Sequence, residues 1–224
     1  MATDEPEWQQ WFEDVWRQRE EDVYRKIFGF ILPEIHKPPD SLFHQLGQET
    51  IDPRWQTTGV VVSPGRADRP DWIYATSGLS NPWGVPPSGA DPCGASGLGF
   101  EFFIQTGEPA HWPIGVLNWL GAVQTLAACG LLAGRLLEPM DRVPLGRTID
   151  GTPDCLLRHL LIAPADDFPS RFALASGQVD ILACIGITDA EMCFARAQHS
   201  AGLVKLLKHS GCFPRTEARR PSAL

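Results

Sequence analysis

Apolar positions along this chain fall into runs whose period changes several times. Between Glu5 and Phe28 they recur at helical spacing: Trp8, Trp11, Phe12 and Val15 mark one face, which resumes at Val23, Ile27 and Phe28. Pro33, Pro38 and Pro39 then exclude regular structure, and Leu42 to Leu46 has room for a single helical turn. Strand signals follow. Thr57 to Val62 is β-branched and ends at Ser63-Pro64-Gly65, so Asp71 to Ser77 is expected to return antiparallel to it. Gly78 to Gly97 is turn-rich, and Gly99 to Thr106 reads as a strand of aromatic and branched residues.

Pro113 opens an apolar run to Cys129 that predicts a buried helix. The stretch Ile114 to Leu132 has the length of a membrane span. Asn118, Gln124, Thr125 and three glycines interrupt it, however, and no Lys/Arg cluster flanks it, so a core helix is expected. From Gly130 to Asp154 the pattern is weak, with a short strand expected near Arg135 to Glu138. Cys155 to Ala163 and Gly177 to Ile187 read as core strands. Thr188 and Glu191 form a capping box for a last helix, with Phe194, Ala197, Ala201, Val204 and Leu207 as its buried side and Gly211 as its stop. Residues 212–224 are polar and read as a loose tail, leaving 1–211 as one domain of mixed, largely antiparallel sheet covered by helices.

Composition adds sign and chemistry. The 224 residues carry a formal net charge of −8, which disfavours nucleic acid as a partner. Eight acids lie between Asp4 and Asp22 against Arg17 and Arg19, a surface suited to steering a basic partner. The start MATDEPEW lacks the features of a secretory signal. Cys93, Cys129, Cys155, Cys184, Cys193 and Cys212 have no CxxC spacing and read as reduced core thiols, so a cytoplasmic protein is expected.

Catalytic chemistry has little to stand on. Nucleophile-elbow, zinc-protease, P-loop and dinucleotide fingerprints are missing, and Gly94 to Gly99 (GASGLG) leads into a strand rather than a helix N-terminus. His36, His44, His111, His159, His199 and His209 have no ligand partner at metal-binding spacing, so no metal or cofactor is expected. Cys193 with His199, His159 in its apolar strand, Asp166-Asp167 and Glu101 are the candidates for a hidden site. Each is read first as structural, Glu101 as a strand residue on an open face. Trp83 is prominent because it lies in a Pro/Gly loop, either anchored in the core or presented to a partner.

The order of motifs resembles the Suppressor of fused family. Asp71-Trp72-Ile73-Tyr74 leads to Thr76-Ser77-Gly78-Leu79-Ser80, followed after a loop by Ser96-Gly97-Leu98-Gly99-Phe100-Glu101-Phe102. Trp112-Pro113, the strands Leu156 to Ile162 and Val179 to Ile187, and Thr188, Glu191, Ala197, Gln198 and Gly202 extend the resemblance over about residues 55–207. It implies the fold of the family's N-terminal lobe, with the 5–28 helix packed on it. Animal members are two-lobed inhibitors that clasp an extended peptide of a transcription factor. Single-lobe bacterial relatives include proteins assigned an immunity role against a toxin encoded nearby. The resemblance therefore implies a non-enzymatic protein-binding domain, an immunity protein or inhibitor with a protein partner. A small hydrolase or transferase and a non-inhibitory adaptor are the alternatives. Partner contacts are expected around Leu79 to Ser96, at Leu79, Ser80, Trp83, Gly84 and Asp91.

Overall fold

The computed structural model describes residues 5–83 and 85–224; Gly84 lies outside the described residues. Helix runs from Glu5 to Phe28 in three joined pieces: α1 (Glu5–Arg17), a π-helical stretch (Gln18–Tyr24) and α2 (Arg25–Phe28). A short α3 (Asp40–Gln45) and a 3-10 turn (Pro53–Thr57) lead to β1 (Gly59–Ser63) and β2 (Trp72–Ser77). Then come β3 (Ala95–Thr106), α4 (Trp112–Ala128), β4 (Arg142–Pro144), β5 (Leu157–Pro164), β6 (Arg171–Leu174), β7 (Gly177–Thr188) and α5 (Asp189–His209).

The sheet runs β1-β2-β3-β7-β5-β4, with β6 also paired to β7. Every pairing is antiparallel except β3 with β7. Side chains alternate across it. Val61, Ile73, Phe103, Ala183 and Ile185 face Tyr24, Phe28 and α5, while Val60, Val62, Tyr74, Phe102, Ile104 and Cys184 face α4. Both faces are covered, which explains strands that are apolar almost throughout rather than alternating with polar residues. The fold is a mixed α/β arrangement, a largely antiparallel open sheet flanked by helices. Among the described residues no helix is long and apolar enough to cross a membrane. The run that suggested a span is α4, with Leu117, Leu120 and Leu126 fully buried.

Several expectations are corrected. The short strand lies at Arg142–Pro144, not 135–138. Of the thiols expected in the core, Cys155 and Cys184 are buried, but Cys93, Cys129 and Cys193 are exposed. β3 begins at Ala95, so the glycine-rich stretch 94–99 belongs to its irregular first half, with a register shift between Ala95 and Phe100. The capping box is present, Glu191 N to Thr188 Oγ1 at 3.2 Å and Thr188 N to Glu191 Oε2 at 2.9 Å. α5 breaks at His199 (φ 62°), which resets its phase: Ser200, Leu203, Val204 and Leu207 face inward, while Ala197 and Ala201 are exposed.

The tail is not loose. Thr216 and Arg220 are buried, because the sheet offers this segment unpaired main-chain groups and α5 offers a carboxylate. Thr216 N donates to Gln105 O at 2.8 Å, and Gly186 N donates to Thr216 Oγ1 at 3.0 Å. Arg220 pairs with the fully buried Glu191 through contacts of 2.7 and 2.6 Å.

Candidate functional site

The end of β2 turns sharply through Gly78, Leu79 and Ser80, and a carboxylate from the neighbouring strand holds that turn. Glu101 is buried, not on an open face. Its Oε1 accepts from Gly78 N (3.0 Å), Ser80 N (2.9 Å) and Ser80 Oγ (2.6 Å), and its Oε2 from Thr76 Oγ1 (2.6 Å). Four donors on one buried carboxylate tie the GLS segment to the SGLGFE strand. Two glycines allow the close approach. A Cβ on Gly97 (φ +55°) would meet Leu79 O at 2.5 Å, and one on Gly78 (φ +123°) would meet Thr57 O at 2.7 Å.

The helical N-terminal segment supplies the other half of this polar cluster. Arg19 is fully buried; its Nε donates to Ser77 Oγ (3.0 Å), and its Nη1 to Ser80 Oγ (3.2 Å) and Asn81 Oδ1 (2.7 Å). Tyr24 donates its hydroxyl to Thr76 O at 2.6 Å. Arg19 and Tyr24 are five residues apart, a spacing that π winding brings to one side and α winding does not. Burial raises the Glu20 carboxyl pKa, against the lowering effect of the Ser77 hydroxyl and Arg19. Burial, reinforced by Glu101, pushes the Tyr24 phenol well above its usual range.

Beside this turn lies a cavity of about 190 Å³. Leu79, Leu98 and Trp55 contribute its apolar wall, Trp83 one side, and Thr125, Ala128 and Cys129 at the end of α4 another, with Arg54 also lining it. Trp83 is half-buried and stacks on α1, its ring centroid 5.2 Å from that of Trp8 and 4.5 Å from that of Phe12. It is thus at once packed on the body and open to the cavity. The exposed Arg54 is held in a fork with Asp52, its Nη2 2.5 Å from Oδ2.

The sequence-predicted contacts separate here. Trp83 and Leu79 both line the cavity, whereas Ser80 is fully buried and its hydroxyl is spent on Glu101, so it positions the turn and presents nothing to a partner. Leu79 is only 3% exposed. Asp91 is exposed, does not line the cavity, and accepts from Cys93 N at 2.9 Å within its own turn. Arg54, Trp55 and Cys129 were missed; nothing local marks them, since two separate segments deliver them, a 3-10 turn and the end of α4.

The remaining chemical candidates do not gather. His159 Nε2 lies 2.7 Å from Asp189 Oδ1 at the surface, and Asp166 pairs with Lys208. Cys193 and His199 are both exposed, and His199 is itself the break in α5. Among the described residues no group of three or more His, Cys, Asp or Glu side chains is placed to hold a metal.

A family model for Suppressor of fused protein (SUFU) matches residues 54–221, the span from the cavity-lining Arg54 to the buried C-terminal segment. The chain belongs to the SUFU family. Comparison with curated proteins gives no match. Three solved structures share the fold. The Drosophila Suppressor of Fused crystal structure aligns with a TM-score of 0.58 at 21% identity, covering 74% of this chain and 42% of that one. This chain therefore spans less than half the length of the Drosophila protein. A chain of the Sufu–Fu complex aligns at 0.60 and 19% identity, covering 97% and 92%. A SUFU homologue from Neisseria gonorrhoeae aligns at 0.59 and 15% identity, covering 96% and 98%. The SUFU match includes the GLS turn, Glu101 and both glycines that permit their approach, so the geometry of that turn lies within the family domain.

Proposed function

We propose that this chain is a non-enzymatic protein-binding domain that sequesters a partner protein, as an immunity protein or comparable inhibitor does, and that it acts in the cytoplasm. The cavity bounded by Trp83, Trp55, Leu79 and Leu98 carries this reading. It offers a half-buried aromatic and an apolar recess beside a rigid turn, the combination in which interface energy concentrates. Membership of the SUFU family supports it, as does a structural neighbour from a Sufu–Fu complex. The net charge of −8 favours a basic partner, which it would steer toward the surface before docking. An extended segment that places one large apolar side chain in the cavity is the partner element that fits.

The test is affinity capture from the native host with tagged wild-type protein and the Trp83→Ala variant. A stoichiometric protein held by wild type and lost by the variant, with unchanged circular dichroism, supports the proposal. Equal capture by both, or a co-purifying small molecule in place of a protein, overturns it.

A further inference from the structure

The parallel pair β3 and β7 separates before its strands end. Their shared register stops at Phe103↔Ala183, after which β3 runs on to Thr106 beside β2 and β7 runs on to Thr188 beside β5. Crevices outside the carboxyl ends of parallel strands are where open sheets bind their ligands. Here the chain's own residues 215–223 lie in the crevice. Arg215 bridges to Gln105 in parallel fashion, and Thr216 is bonded on one side to β3 and on the other to Gly186 of β7. A Cβ on Gly186 would come within 2.8 Å of the Thr216 methyl group, so the strand is bare where the segment crosses it.

Four residues on, Arg220 enters a socket. Its Nη1 and Nη2 meet Glu191 Oε1 and Oε2, and Nη2 also donates to Gly186 O at 2.8 Å. Ala223 N returns to Glu191 Oε1 at 2.8 Å. Strand-like main-chain bonding with one anchored side chain is also the way an extended peptide is recognised beside a sheet. The segment also leaves the crevice incompletely filled. A cavity of about 480 Å³ runs between it and the β3–α4 connection, lined by Glu108, Trp112, Glu217 and Arg219 among others.

We infer that the β3–β7 crevice is a binding site for an extended peptide bearing a hydroxyl residue followed four positions later by arginine, and that residues 213–224 are its resident intramolecular ligand. Tethering gives the resident segment an effective concentration in the millimolar range, so the site in the intact chain is closed to dilute peptide. Loss of the Arg220 anchor opens it. This inference does not depend on the cavity at Trp83.

The experiment uses the 224-residue chain and a fluorescein-labelled peptide spanning residues 213–224, with binding read by anisotropy. The Arg220→Ala chain is expected to bind the peptide roughly tenfold or more tightly than wild type does, since its own segment lacks the charge that Glu191 needs. A peptide carrying Arg220→Ala is expected not to bind. Trp83→Ala, combined with Arg220→Ala, is expected to leave peptide binding unchanged. A second arm guards against misfolding of the Arg220→Ala chain: a protease site inserted after Gly211 is cut in the folded protein, and labelled peptide is expected to replace the severed segment. Absence of binding to a folded Arg220→Ala chain, equal binding of the substituted peptide, or a severed segment that labelled peptide cannot replace would each overturn the inference.

Discussion

Glu101 is the residue on which the candidate site turns. It was legible as a carboxylate in a strand, but its burial was not, because its partners are amides and hydroxyls more than twenty positions earlier. Removing it strands donors from Thr76, Gly78 and Ser80 in the interior. At about 1–3 kcal/mol for each unsatisfied group, Glu101→Ala is expected to lose at least ~3 kcal/mol in urea unfolding. Gly97 makes a sharper comparison. Gly97→Ala and Gly130→Ala both place a side chain at positive φ, costing roughly 1–2 kcal/mol each. Only at Gly97 does the new Cβ meet backbone, 2.5 Å from Leu79 O, whereas nothing lies within 4 Å at Gly130. Gly97→Ala is therefore expected to destabilise clearly more than Gly130→Ala, by thermal or urea unfolding of the two variants.

At the scale of elements, two carboxylates respond to pH in opposite senses. Glu20, on the π-helical stretch, has its pKa raised by burial, so the stability it contributes is complete below its unfolded pKa and lost as pH rises through its folded one. Glu20→Gln is accordingly expected to match or exceed wild type in melting temperature at pH 7 and to lose that advantage near pH 4. Burial also opposes ionisation of Glu191, but Arg220 and the amides of Ala223 and Thr188 outweigh it and lower its pKa. Its contribution is present above the unfolded pKa and disappears as pH falls through the folded one. Hydrogen exchange is expected to show residues 213–224 protected at neutral pH and released in acid ahead of the sheet. Arg220→Ala leaves Glu191 buried without its partner and is expected to cost about 3–5 kcal/mol in urea unfolding. Elements with strong local signals, such as β5, β7 and the Thr188 capping box, were readable from the chain. β6, with four residues, and β4, with three, were not, because pairing with β7 and β5 defines them rather than their own composition. The C-terminal segment misled for the same reason: four charges and two prolines in 213–224 read as solvated, while its contacts come from distant elements.

Over the whole molecule, the resemblance of GLS and SGLGFE to the SUFU pattern carried the fold, and the family match confirms it. The cavity was only half visible, since Trp83 advertises itself in a Pro/Gly loop while Arg54, Trp55 and Cys129 reach it from a 3-10 turn and the end of α4. That arrangement supplies a direct probe of the central claim. Cys129 lines the cavity and is exposed, and Cys193 is equally free on α5. The decisive measurement is site-resolved alkylation of the two thiols, by mass spectrometry, with and without the captured partner. Partner docking at the Trp83 cavity predicts that Cys129 is alkylated roughly tenfold more slowly in the complex while Cys193 is unchanged, because interface cores exclude water and reagents. Unchanged reactivity at Cys129, or protection of Cys193 in its place, would contradict the assignment of the binding site.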